Sequence, residues 1–419
     1  MSQLTENERK QIIGMADPSI GHVIQDVRLK DRRIKRVIPT KQSEVHHEFV
    51  QTHEVPCISA LTVLGGFQPK FNLQNNEIQG YPELFTLRLD VLNSQVGAVT
   101  LLPSLLLIDR LEVRYNGQLL QTITGEELWH QFNLLASPAQ LAALVTRMNM
   151  STAYAGTTAI QPSASATYNI PFQCCFTQAE FPMWLLSGET NFNFFMKDTT
   201  TMMEAGTVSP TVTAISLMVD YVKLTRAERE DKENLVRTYG MEWNFTEVVI
   251  QQEQVLLTAS TQSIVQLPNF TGNTPFMFLT VRAATTGTGV RTYANLLEGT
   301  VDLTTLSGES ILGGTPQRLN EIRLLKAPFQ FPSQYVSTLT VYPIFISNDV
   351  FDVLINGVHS GHREMDKNRS LRIIPGVGWV QATDTVNVYC WIYKTLSLDT
   401  KLNLTSIEMP ITENEKREF

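Results

Sequence analysis

From Glu44 onward apolar and polar residues alternate in short runs broken by Gly, Pro, Asn and Ser. This period places every second side chain on one face of a strand. In the first half such runs cover Ile58 to Leu64, Leu84 to Leu92, Ile108 to Tyr115, Gln118 to Ile123, Tyr168 to Phe176, Asn191 to Lys197 and Ala214 to Leu224. After a gap they resume at Asn244 to Val255, Ser263 to Leu267, Phe276 to Ala283, Ile322 to Leu325, Thr338 to Ile346, Phe351 to Val358, Ser370 to Ile374 and Val386 to Leu396. The spacing is that of all-β sandwiches. Pro138 to Met150 follows a helical period instead, with Leu141, Leu144, Val145 and Met148 on one face.

Ile108 to Trp129 is the best-defined local unit. Leu111, Val113 and Tyr115 alternate with Glu112 and Arg114, and Asn116-Gly117 is the dipeptide that closes a two-residue hairpin, because both central residues need positive φ. The returning strand, Gln118 to Ile123, ends at Thr124-Gly125-Glu126-Glu127. Thr124 caps a helix there, and the two glutamates suit its positive end. Trp129 lies on that helix.

The gap between the halves, Leu224 to Asn234, is the densest charge cluster of the chain, with Thr225 placed to cap a helical turn. It divides the sequence into an amino-terminal arm (1–44), a first domain (45–224), a linker (225–240), a second domain (241–407) and a charged tail (408–419). Two domains also suit the length of 419 residues, since single cores stop growing at about 250 to 300 residues. The arm carries a short helical pattern, Leu4 to Met15, and the basic run Arg32, Arg33, Lys35 and Arg36, which suits an anionic surface or a solvated face.

Only 18% of residues are charged, which fits a surface buried against other subunits, and the net charge of -8 excludes a protein that grips nucleic acid over its whole surface. Cys57, Cys174, Cys175 and Cys390 lack the spacing of a disulfide framework or a zinc site, and Cys174-Cys175 read as buried thiols of an apolar strand. With no apolar run long enough for a signal or a membrane span, synthesis in a reducing cytoplasm is expected.

Four stretches in order resemble the double jelly-roll major capsid proteins of icosahedral DNA viruses, the lineage of tectiviruses, adenoviruses, nucleocytoplasmic large DNA viruses and virophages. Ile108, Glu112, Asn116, Gly117, Gln118, Gly125, Glu126 and Trp129 match that family's "I-x-x-I-E…G-G-Q…G-E-W" hairpin. Tyr168 to Phe172 resembles its "Y-x-I-P-L" strand, and Phe181 to Leu186 its "L-P-L-x-A-L" segment. Asp220, Tyr221, Leu224, Glu228 and Arg229 match the "V-D-Y-x-x-L-D-x-x-E-R" that closes the first jelly roll. The chain departs from the family at Asn116, often Gly there, at Thr225, often Asp, and at Cys174-Cys175, which replace an aromatic cluster.

The resemblance implies an all-β fold of two tandem eight-stranded jelly-roll sandwiches with short helical inserts. It implies a homotrimer whose six lobes tile an icosahedral shell, contacting neighbouring capsomers, penton and minor capsid proteins. The arm would lie beneath the shell, with Arg32, Arg33, Lys35 and Arg36 against an internal viral membrane or its neighbours. Loops at Ser151 to Ala166, Met203 to Thr211 and Thr285 to Gly314 would face outward. The location would be the virion, with no cofactor, metal, catalytic residue or small-molecule substrate.

The residues themselves offer little chemistry. His46, His47 and His53, or His359 and His362, have weak ligand spacing, and Thr285 to Val290 has two glycines but no following Lys-Ser/Thr. The competing reading is a tandem β-sandwich that binds or hydrolyses carbohydrate. It needs a groove with paired carboxylates and aromatic platforms, supplied from Trp129, Trp184, Trp243, Trp379 or Trp391.

Overall fold

The structure is a computed structural model, and it describes residues 49–135, 138–150, 157–177, 181–267, 270, 272–282, 299–304, 308–314, 342–347, 363–365 and 369–408. The arm with Arg32, Arg33, Lys35 and Arg36, the histidines His46, His47, His359 and His362, the strands expected at 322–325 and 351–358, and the tail beyond Glu408 lie outside these residues.

Alternation becomes strand over most of the described first half. Its principal strands are β1 (Phe49–Pro56), β2 (Lys70–Gln74), β3 (Gly80–Leu92), β4 (Ile108–Tyr115), β5 (Gln118–Thr124), β6 (Ser165–Phe172), β7 (Glu189–Met196) and β8 (Thr211–Lys223). Helices α1 (Gly125–Leu135) and α2 (Pro138–Arg147) lie between β5 and β6. All pairings are antiparallel, in the orders β1-β8-β3-β6 and β2-β7-β4-β5. First and last strands are therefore neighbours, and only β4 and β5 are both consecutive and paired. That is the double Greek-key order of a jelly roll.

Helix α3 (Arg226–Tyr239) follows, and then the second half repeats the plan. Its strands are β9 (Met241–Leu257), β10 (Ser263–Gln266), β11 (Phe276–Arg282), β12 (Thr300–Thr304), β13 (Ser310–Gly314), β14 (Tyr342–Phe345), β15 (Ser370–Ile374) and β16 (Ala382–Leu398). They pair as β9-β16-β11-β14 and β10-β15-β12-β13, the same order shifted by one repeat. Leu404–Glu408 adds a short strand beside β16.

Packing follows the pleat. On β7, Thr190, Phe192, Phe194 and Met196 are buried while the residues between them are half-buried. They meet Phe85 of β3 and Phe172 of β6, whose rings lie 5.0 to 6.4 Å from Phe192. Burying each ring contributes about 1.5–3 kcal/mol. Strand β16 departs from this pattern, because it is buried on both faces. Val386, Val388, Cys390 and Ile392 enter the second sandwich's own core, whereas Tyr389, Trp391 and Tyr393 join the core of the first. Phe276 and Phe278 on β11 side with the first core, and Met277 and Leu279 with the second. A doubly buried strand reads as a continuous apolar run, and the β16 stretch Val388 to Tyr393, Val-Tyr-Cys-Trp-Ile-Tyr, is one.

Four sequence readings need correction. Ile58 to Leu64 is not a strand: Ile58, Leu61 and Val63 are exposed, and the segment makes a single isolated bridge, at Val63, with another just before it at Cys57. Ser59 accepts from Lys70 N and donates to Gln68 O, which offers the backbone a local alternative to a ladder. Tyr168 to Phe176 stops as a strand at Phe172, and Cys175 opens a one-turn helix. Thr177 closes that turn, its hydroxyl accepting from Cys174 N and donating to Cys174 O. Within the loops expected at Met203 to Thr211 and Thr285 to Gly314, Met203–Ala205 pairs with Thr100–Leu101, and β12 and β13 belong to a main sheet. Short strands with few alternations are easily missed.

The charged segment after Leu224 forms a helix of 14 residues rather than a single turn. Thr225 and Glu228 make a reciprocal capping box, and Arg226–Glu230 and Arg237–Glu233 pair one turn apart. Most of α3 is exposed or half-exposed, yet the halves on either side share a core. A protease site inserted into α3 is therefore expected to give two bands on a denaturing gel but one particle, at the uncut position, on native size exclusion. Two folded fragments eluting separately would show that the shared core does not hold the halves together.

Candidate functional site

The hairpin marks the join between the sandwiches. Asn116 and Gly117 have φ of 48° and 81°, as the tight turn requires. Gln118, exposed, opens β5 opposite Tyr115. On the outer face of β4, Glu112 sits between Arg110 and Arg114, with N···O distances of 3.3 and 3.0 Å. Ile108 is fully buried where the strand starts, and a Cβ on Gly125 would lie 2.0 Å from its carbonyl oxygen. Thr124 and Glu127 form the expected cap, Glu127 N donating to Thr124 Oγ1 at 3.1 Å and Thr124 N to Glu127 Oε2 at 3.3 Å. Trp129 is fully buried.

Helix α1 then meets the second half. Tyr389 on β16 donates to Glu126 Oε2 at 2.6 Å, and the buried His130 ring lies 4.8 Å from Phe278 and 5.0 Å from Tyr389. Edge strands β5 and β9 approach without forming a ladder: Gln121 Nε2 donates to Thr246 O at 3.4 Å, and Thr122 N donates to Glu247 Oε1 at 3.4 Å. Side chains thus occupy edges that would otherwise template foreign strands. Gln121 also accepts from Cys175 N at 2.7 Å, and Glu247 pairs with Lys394 on β16. Phe181 packs on Trp243, centroids 4.9 Å apart. Between these groups lies a cavity of about 10 Å³, lined by Gln121, Glu127, Gln173, Cys174, Cys175 and Thr246 among others. That is room for one water.

The close of the first sandwich is a second cluster. Thr52 on β1 donates to Asp220 Oδ1 on β8 at 2.5 Å. Tyr221 is buried, which raises its hydroxyl pKa, while the nearby Arg229 lowers it. Leu224 is buried, its amide bonded to Gln79 O, and Glu228 caps α3. Of the hairpin and the helix after it, Gln121, Thr122, Glu126 and His130 reach the second half, while Leu224 and Glu228 lie where the first sandwich passes into α3.

Sequence reasoning missed Gln121, Glu247, Tyr389 and Trp391 as seam residues. Gln121 carried no signal of its own, since it and Thr122 are two polar residues between Leu120 and Ile123. Of the tryptophans, Trp129, Trp243 and Trp391 are buried, and Trp184 and Trp379 half-buried. Among the described residues no group of three His, Cys, Asp or Glu is placed to hold a metal, and no helix is long and apolar enough to cross a membrane. Burial pushes the Cys175 thiol up, and that of Cys390 to about 12.

No protein-family model and no curated protein matches the sequence. Solved structures do match the fold. The chain is similar to VP54 of PBCV-1, in the structure fitted into a reconstruction of the virophage Sputnik, at 12% identity and a TM-score of 0.66, covering 88% of this chain and 99% of that one. The Faustovirus major capsid protein matches at 9% identity and a TM-score of 0.62, over 90% of this chain and 97% of that one. The mavirus major capsid protein matches at 10% identity and a TM-score of 0.50, over 91% and 95%. The chain has the double jelly-roll fold of these capsid proteins.

Proposed function

We propose that this chain is a viral major capsid protein that self-assembles into pseudo-hexagonal trimers tiling an icosahedral shell. The observation that carries the reading is the same jelly-roll strand order in both halves, fused through one core and matched nearly end to end by capsid proteins. Two equivalent lobes per chain make six per trimer, a shape that packs in a hexagonal lattice. The first lobe spans β1 to β8, the second β9 to β16, and α3 links them. Exposed apolar side chains such as Ile58, Leu61, Val63 and Val208 suit contacts between chains. Its partners are itself, neighbouring capsomers, penton and minor proteins, and, through the basic arm, an internal membrane. It works in the virion after synthesis in the host cytoplasm and catalyses nothing.

The test is the mass of the purified chain by light scattering after size exclusion. The expected result is three times the chain mass of 47.1 kDa. A monomer unchanged by concentration and salt would overturn the reading and return the carbohydrate alternative to the front.

A further inference from the structure

Glu127 has no task in the assembly reading, yet it is a carboxyl group only 3% exposed. Its capping of Thr124 does not need a charge, since glutamine serves in the same motif. The elements packed against it present few compensating charges. Glu126 on its own helix is engaged by Tyr389 of β16. His130, one turn on, lies against Phe278 and Tyr389. Glu247 on β9 brings a second negative group, and Lys394 on β16 is paired to that glutamate. Cys174 and Cys175 add thiols from the turn after β6. Among the described residues Glu127 makes no ion pair.

We propose that Glu127 is a proton-binding site in the seam: it is held as the neutral carboxylic acid at the wall of the small cavity that residues of both sandwiches line. Burial raises its pKa well above the usual carboxylate range; the Thr124 amide opposes this and the charge of Glu247 adds to it. A buried acid that keeps its proton avoids the penalty of an unpaired buried charge. The folded chain then binds a proton that the unfolded chain has released. The stabilisation is complete below the unfolded-state pKa and is lost as pH rises through the folded one.

The test compares denaturation midpoints of the wild-type chain, Glu127→Gln and Glu247→Gln from about pH 5 to about pH 9. The wild type is expected to match Glu127→Gln at the acid end and fall progressively below it as pH rises, while Glu247→Gln keeps a falling profile. Parallel profiles for wild type and Glu127→Gln would overturn the proposal. An infrared pH titration of the wild type needs no variant to fold: a protonated-carboxyl carbonyl band persisting to neutral pH supports the proposal, and its disappearance near the free glutamate pKa overturns it. If Glu247→Gln rather than Glu127→Gln abolishes that band, the proton belongs to Glu247 and the assignment fails. All these readouts use the chain in solution, so they stand apart from the outcome for the capsid reading.

Discussion

Replacing Trp391 with alanine is expected to cost about 3–5 kcal/mol and to lower the stability of both sandwiches together. Trp391 is 1% exposed on β16, paired with Val248 on one side and Phe276 on the other. Its ring sits 4.9 Å from that of Phe276 and 5.3 Å from that of Phe278, and it borders the seam cavity. Truncation enlarges a void that the surrounding sheet cannot collapse into, because β16 is held by β9 along its whole length. Trp391 belongs to the core of the first sandwich although its strand is built into the second. One transition, seen alike by far-ultraviolet circular dichroism and tryptophan fluorescence, is therefore predicted to move as a unit. Two transitions, only the later half shifted, would mean that the seam does not couple the sandwiches.

Gly125→Ala is expected to cost at least about 1–3 kcal/mol, the range for forcing extra atoms into a packed site. The added Cβ would lie 2.0 Å from Ile108 O, at the start of β4, and 2.5 Å from Leu105 O, in the helical turn Ser104–Leu107 before it, both backbone atoms that no rotamer change can move. Gly117→Ala provides a contrast, since its Cβ meets nothing within 4 Å and the strain comes only from a φ of +81°. That substitution should cost about 1–2 kcal/mol. Denaturant midpoints measured on the two variants decide the order; a larger loss at Gly117 would show that β4 and α1 are looser than their contact implies.

The hairpin was readable because each of its signals is local: alternation, Asn-Gly, and a Thr placed three residues before a Glu. The α3 cap was legible for the same reason, though helix length was not, because it depends on ion pairs four residues apart that a charge cluster only hints at. The seam left almost no trace in sequence. Tyr389 and Glu126 are 263 residues apart, and nothing near either names the other. The apolar stretch Val388 to Tyr393 marked β16 as a strand without saying that its second face serves another sandwich. Strand β2 escaped notice because its five residues hold only two buried ones, Phe71 and Leu73. Gln121 and Glu127 looked like ordinary polar positions, and only burial distinguishes them.

The strand order also sets when the molecule can close during synthesis. In each half the first strand pairs with the last, so Phe49 waits for Lys223 and Met241 waits for Leu398. Pairings this distant in sequence are slow, because loop closure precedes any gain from contact. The first sandwich can shut once β8 has left the ribosome. Its seam partners, Tyr389 and Trp391, lie on the last long strand to emerge. Until then the face around Glu126 and His130 has no cover from β16, and a nascent chain in that state offers an apolar surface to chaperones or to other nascent chains.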